Sequence, residues 1–423
     1  MKDKILCVVS ACPDTYSGYG KRSLDFIKEL IRVRPTWDIR ILSQRWGDTR
    51  MGYLEDNEEW EIISRIVPNI QRKPDVWIQI TVPNEFQPVG RFNIGVTAAI
   101  ETTLCDASWI EGCNRMDLVL TSSEHGKHSL VDSEYTNNQT GAKLKVEKPA
   151  TVLFEGIDTG VYYKKTPALK AEPLKDLKNS WNFLCVGHWL KGDFGEDRKN
   201  IAYTIRAFLE AFKDQKQAPG LILKTSSATT SWMDQETVLN RIYDIMNSVE
   251  YKQTLPNVYL LHGDLTDEEM NDIYNDPRVK AMVSFTKGEG YGRPLAEFAL
   301  TGKPIIVSGW SGQRDFLSEK MTVMVGGTLQ KVHPSAVQPG MILSEASWFK
   351  PDDNQVLAAF REVFNNYDFW CKQAERQAKN LRVTKSLEAM GDEIDSILET
   401  EMKDFSHEVA LNLPTAWTAK ETE

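Results

Sequence analysis

A chain of 423 residues exceeds what one hydrophobic core normally accommodates, so two domains of roughly 150 to 200 residues are expected. With 41% hydrophobic and 26% charged residues it has the composition of a soluble globular protein. The net charge of -10 argues against a wholly basic nucleic-acid-binding surface, although it leaves room for a local basic groove.

Lys2 and Lys4 precede the apolar run Ile5 to Val9, which is too short for a signal-peptide core or a membrane span. A cytoplasmic location is therefore expected. The six cysteines form no CxxC pair and no His/Cys spacing of a zinc site, so they read as reduced packing residues. From there the chain alternates short apolar runs with amphipathic stretches, the pattern of parallel strands joined by crossover helices. ILCVV (5 to 9), WDIRILS (37 to 43), DVWIQIT (75 to 81), FNIGVTAAI (92 to 100) and DLVLTSS (117 to 123) read as strands. Between the first two, Leu24, Ile27, Leu30 and Ile31 recur at helical spacing.

Residues 166 to 180 are polar, carry two prolines and read as a linker between a first domain, 1 to 165, and a second, 181 to 399. The second opens on Trp181 to Val186 and continues through a helix with Ile201, Ile205, Phe208 and Phe212 on one side. LILKTS (221 to 226), NVYLLHG (257 to 263), VKAMVSF (279 to 285) and PIIVSG (304 to 309) supply further strands. The expected class is α/β, two doubly wound Rossmann-like domains facing a cleft, where open parallel sheets bind ligands.

Three loops point at that cleft. Ser17-Gly18-Tyr19-Gly20 follows the first strand and opens a helix, so its amides and helix dipole suit an anionic group; a plain tight turn is the competing reading. GHWLKGDFGEDRKN (187 to 200) brings Lys191, Arg198 and Lys199 forward, with Asn200 as the helix N-cap. Charge-assisted bonds from such groups suit a diphosphate. In GEGYGRPLAEFALTGKP (288 to 304), Pro294 fits the first turn of a helix that Gly302 and Pro304 end. Glu289 then lies on the loop over the cleft and Glu297 about one turn inside the helix, placed to accept two hydrogen bonds from a ribose diol. The glycines at 288, 290 and 292 permit close backbone approach.

The run SFTKGEGYGRPLAEFALTGKPIIVSG resembles the Glu-x7-Glu signature of the large family of retaining glycosyltransferases of GT-B fold, group 1 or family 4-like. VLFEGIDTGVYYK (152 to 164) is similar to that family's hinge segment, and helices from about 355 to 405 would cross back to the first domain, with a final helix at about 400 to 423 packing on it. The resemblance implies that Glu297 binds the nucleotide ribose and Glu289 the donor sugar, beside Gly290, Tyr291 and Gly292. It implies that Lys199 contacts the diphosphate, with Gly18 and Gly20 closing from the other domain. Where the family commonly has an arginine, this chain has His188, and Arg198 is the candidate substitute. Glu101, Trp109 and Asn114 lie in a stretch similar to one branch of the family, with Glu101 at a strand end facing the cleft. His125 reads as a capping or packing residue rather than a base, and Ser308, Gly309 and Gly312 as residues that pass near the base or form a tight turn.

The implied reaction is sugar transfer from a nucleotide-sugar co-substrate with retained configuration, without a metal or other cofactor. A GT-B epimerase or phosphorylase, or a non-catalytic nucleotide-sugar-binding protein, is the alternative. SGYGKRSLDFIKEL and QITVPNEFQPVGRFNIGVTAAIE also resemble glycosyltransferases of large tailed bacteriophages, which makes a modified DNA base one acceptor to consider. Lys21, Arg22, Lys127 and His128 would then form a local basic patch.

Overall fold

The computed structural model describes residues 4 to 405 except 138, 228, 229 and 404. The first half builds a parallel sheet from β1 (Leu6–Ala11), β2 (Asp38–Ser43), β3 (Val76–Ile80), β4 (Phe92–Thr97), β5 (Leu118–Thr121) and, beyond the small hairpin of β6 (Tyr135–Thr136) and β7 (Lys143–Leu144), β8 (Ala150–Val152). Their spatial order is β2-β1-β3-β4-β5-β8. The second half builds another from β9 (Asn182–Val186), β10 (Gly220–Lys224), β11 (Val258–Leu261), β12 (Val279–Ser284), β13 (Ile305–Ser308) and β14 (Val323–Val325), in the order β11-β10-β9-β12-β13-β14. In both sheets the middle strands are buried on both faces, which is why they read as continuous apolar runs.

Helices cover the sheets as the apolar spacing requires. On α1 (Gly18–Val33), Leu24, Ile27 and Leu30 are buried on the first sheet, and the Ser17 hydroxyl caps the helix by accepting from the Gly20 amide at 2.9 Å. On α6 (Ile201–Phe212), after α2 (Tyr53–Asp56), α3 (Trp60–Ile63), α4 (Ala107–Arg115) and α5 (Glu124–Val131), all four expected residues are buried in the second core. α7 (Trp232–Ser248), α8 (Asp267–Asn275), α9 (Arg293–Ala299), α10 (Asp353–Asn365) and α11 (Tyr367–Thr384) complete that half.

Three features depart from the sequence reading. The strand expected over 92 to 100 stops at Thr97, because the Ala98 amide is taken by the Tyr19 hydroxyl at 3.1 Å and Ala99 turns to φ 57°. Asn200 occupies the N-cap position of α6 but does not cap with its side chain; it sits at φ 58° and donates Nδ2 to the Phe285 carbonyl at 3.0 Å. An antiparallel hairpin, β15 (Gly327–Lys331) with β16 (Ser347–Pro351), follows β14 and was not anticipated, since its first strand is mostly exposed and carries no apolar alternation.

The chain crosses between the halves twice, side by side. Residue Ile157 pairs with the segment that leaves α11, through Ile157 N to Lys385 O at 2.8 Å and Leu387 N to Ile157 O at 3.0 Å. The returning α12 (Leu387–Glu401) then packs Met390, Ile394, Ile397 and Leu398 into the first core, against α1. The helix expected at about 400 to 423 lies almost entirely outside the described residues.

Candidate active site between the two sheets

The loop that leaves β12 meets the first half directly. Gly288 faces the Glu101 carbonyl so closely that a Cβ there would stand 1.9 Å from its oxygen, and one on Gly290 would stand 2.9 Å from the Ala98 oxygen. The Ser123 hydroxyl donates to the Gly290 carbonyl at 2.6 Å. The glycines of the signature thus permit a close approach of protein to protein. Gly292 adopts φ +104° to start α9, a conformation glycine reaches without Cβ strain.

The same contact assembles four of the predicted residues. Lys199 Nζ donates to both Glu289 oxygens, at 2.6 and 2.8 Å. Arg198 Nη1 donates to the Gly288 carbonyl at 2.8 Å and lies 3.2 Å from Glu101 Oε1 and 3.5 Å from Glu289 Oε2. Burial acts to raise the Glu289 pKa, but the Lys199 ammonium and the Arg198 guanidinium outweigh it and hold the carboxyl below its usual range. The amide and carbonyl of Glu289 are fixed too, by Ser311 Oγ and by the Gly312 amide, both at 3.0 Å. Two cations and two carboxylates therefore share one spot, with Glu289 buried and the other three partly exposed. His188 has Nδ1 3.1 Å from Ser226 Oγ, and desolvation of the ring together with Lys199, Lys224 and Arg198 lowers its pKa.

Glu297 belongs to a different cluster. Tyr274 donates its hydroxyl to Oε2 at 3.3 Å, and Arg293 Nε lies 3.7 Å from Oε1. Here burial dominates, helped by Asp267 and opposed by Arg293 and Lys21, and the pKa is raised to about 7. Arg293 was not singled out by sequence. It reaches Asp25 of α1 at 2.8 Å and Glu155 at 3.5 Å, while Arg22 of α1 lies 3.8 Å from Glu155 and Lys21 bridges to Asp267 of α8 at 2.7 Å. The available signal was a cation four residues before Glu297 inside the motif; its partners are set only by the meeting of α1 with α9.

Other predicted residues lie as follows. Gly18 opens α1 with no atom within 4 Å of where a Cβ would be, whereas Gly20 faces the Thr15 carbonyl. Between them Tyr19 is anchored to Thr97 and stacks on Trp46 at 4.0 Å between ring centres. Tyr291 is buried against Phe316. Trp109 is buried and donates to the Gly340 carbonyl, and Asn114 bonds to the backbone of Lys145 and Glu147, so both serve the fold. His125 packs on Trp310, as expected, while Ser123 caps α5. Ser308 is fully buried and Gly312 faces the Gly290 carbonyl. Lys191 is exposed. Of the four residues of the expected basic patch, Arg22 is only 2% exposed, Lys21 is paired with Asp267, and His128 sits beside Asp132 at 3.0 Å. Among the described residues no group of three His, Cys, Asp or Glu side chains is arranged to hold a metal ion, and no helix is long and apolar enough to cross a membrane.

No family profile matches the chain, and no curated protein matches its sequence. Solved structures do resemble it. HepE from Anabaena in complex with UDP and glucose superposes with a TM-score of 0.63 at 12% identity, over 94% of this chain and 100% of that one. Sucrose-phosphate synthase from Thermosynechococcus elongatus gives 0.61 at 10%, over 95% and 100%. A UDP-forming α,α-trehalose-phosphate synthase from Burkholderia xenovorans gives 0.57 at 10%, over 95% and 99%. At such identities the likeness is one of fold, and the fold is the GT-B architecture that the signature implied.

Proposed function

We propose that the chain is a retaining glycosyltransferase that moves a sugar from a nucleotide-sugar donor to an acceptor hydroxyl. The observation that carries this reading is the Lys199–Glu289 pair, with Arg198 beside it, at the opening of α9 in a GT-B fold. Structures of that fold with bound UDP and UDP-glucose support a nucleotide sugar as the donor class.

In this reading the half that carries the first sheet presents the acceptor and the half from residue 181 onward holds the donor. The diphosphate takes over Lys199 and Arg198, freeing Glu289 to accept hydrogen bonds from hydroxyls of the sugar. Glu297 receives the ribose diol. The bond from the anomeric carbon to the leaving phosphate oxygen breaks, a bond to the acceptor oxygen forms on the same face, and the acceptor proton passes to the leaving phosphate. The two cations meet the charge that develops there, a role worth most in a water-poor site. An acceptor on DNA draws no support from Lys21 and Arg22, which are used inside the protein.

A thermal-shift screen of nucleotides and sugar nucleotides tests the donor, because a ligand held only by the native state at 100 times its Kd adds about 2.7 kcal/mol of stability. UDP-glucose should raise Tm in the wild type and not in Glu289→Ala or Lys199→Ala, which should also lose at least a hundredfold in sugar transfer. Full activity in both folded variants would sink the assignment. Conversion of the sugar without an acceptor would instead indicate an epimerase.

A further inference from the structure

The charges that join α1 to α8 and α9 are more than a packing detail, because one of them, Arg293, touches both halves and the motif carboxylate at once. Its Nη2 lies 2.8 Å from Asp25 Oδ2, its Nη1 3.5 Å from Glu155 Oε2 and its Nε 3.7 Å from Glu297 Oε1. Asp25 and Glu155 are themselves buried, and Glu155 is held further by the Ser122 hydroxyl at 2.9 Å and by Arg22. Arg22 in turn donates to the Leu153 carbonyl at 2.9 Å. The first half thus supplies a rigid, acidic socket, and the guanidinium is the group that fills it. Three carboxylates share this one cation, so its position decides how each of them is compensated.

We propose that Arg293 is a positioning residue: seated in the Asp25–Glu155 socket, it holds the Glu297 carboxylate in place for the nucleotide ribose. This rests on the reading of Glu297 as the ribose ligand. The groups that face Glu297 are Arg293 on its own helix, Tyr274 and Asp267 on α8, Lys21 on α1 and Tyr162 from the segment after β8. Tyr162 is fixed by donating to Asp267 at 3.0 Å. Of these Arg293, Lys21 and the Tyr274 hydroxyl favour the ionised carboxylate, Arg293 most strongly. Lys21 is already matched by Asp267, so the removal of Arg293 must raise the carboxyl pKa further.

Two readouts test this. In free protein with 13C-labelled glutamate, assigned through Glu297→Gln, the Glu297 titration should move upward by about one pH unit in Arg293→Met and return most of the way in Arg293→Lys; an unmoved titration overturns the proposal. In calorimetry with UDP-glucose, Arg293→Met should bind about tenfold more weakly at pH 7, with the loss shrinking as pH rises, and should add less than twofold to Glu297→Gln. A loss that is constant with pH and additive with Glu297→Gln would make Arg293 structural glue and overturn the proposal. Should Arg293→Met not fold, Arg293→Gln keeps the length and carries the same expectations. Failure of the wild type to bind any UDP-sugar would defeat the proposed function instead, and the titration would still decide the role of Arg293.

Discussion

Glu289 and Glu297 are eight positions apart in one motif, yet their surroundings drive their ionisation in opposite directions. Glu289 has two cations within 3.5 Å and stays charged, whereas Glu297 is mainly desolvated and titrates near pH 7. For a carboxyl whose folded pKa is raised, the folded state binds the proton more tightly than the unfolded chain does. Glu297 therefore adds no cost below about pH 4.5 and a growing one as pH rises to about 7. At 1.36 kcal/mol per unit, that amounts to roughly 3 kcal/mol. Denaturant unfolding of Glu297→Gln against the wild type should show the variant gaining stability over this window and a constant difference above pH 8. A difference that does not vary with pH would mean that Glu297 is solvated. Lys199→Met argues the converse case: it leaves the buried Glu289 with Arg198 alone and should destabilise by about 3 kcal/mol, while the double variant with Glu289→Gln should be milder.

At the scale of elements, the glycines sort into two kinds. A side chain on Gly288 would collide with the Glu101 backbone, which cannot swing aside, so Gly288→Ala must push the loop after β12 away from the first half. A cost of about 1–3 kcal/mol is expected, together with loss of the Arg198–Glu101 contact. Gly18, at the start of α1, faces open space, and Gly18→Ala should unfold within about 0.5 kcal/mol of the wild type. A fall in UDP-glucose affinity in that variant would then report on the ligand and not on the fold. The hairpin of β15 and β16 acts at the same scale. It bonds to Thr103 through the Ser347 carbonyl and to Lys287 through the Phe349 amide, so it braces the first half against the loop that carries Glu289.

For the whole molecule, α12 decides how the two halves are connected. Its apolar residues complete the first core, so the last helix among the described residues folds with the first. Ile394→Ala, which empties a buried site on α12, should cost about 3 kcal/mol and raise hydrogen exchange in α1 and β1 more than in β9. Equal effects in both sheets would mean that the halves unfold as one unit.

The strands, the alternation with helices and the α/β class were legible because parallel strands buried on both faces leave long apolar runs, and their covering helices leave a 3.6-residue period. The spacing of Glu289 and Glu297, the glycine loop and the Arg198-Lys199 pair were legible as well, since each is local. What sequence alone could not supply was contact across the junction. Lys21 and Arg22 look like a surface patch in the chain and are an internal bridge and a buried socket in the fold. Arg293 carries no local sign of a role and is held by Asp25, which precedes it by 268 positions. Local pattern determines which elements form and which side chains each offers. Only the packing of α1 against α8 and α9 decides which charges are desolvated together, because electrostatic partners depend on distance in space and not along the chain.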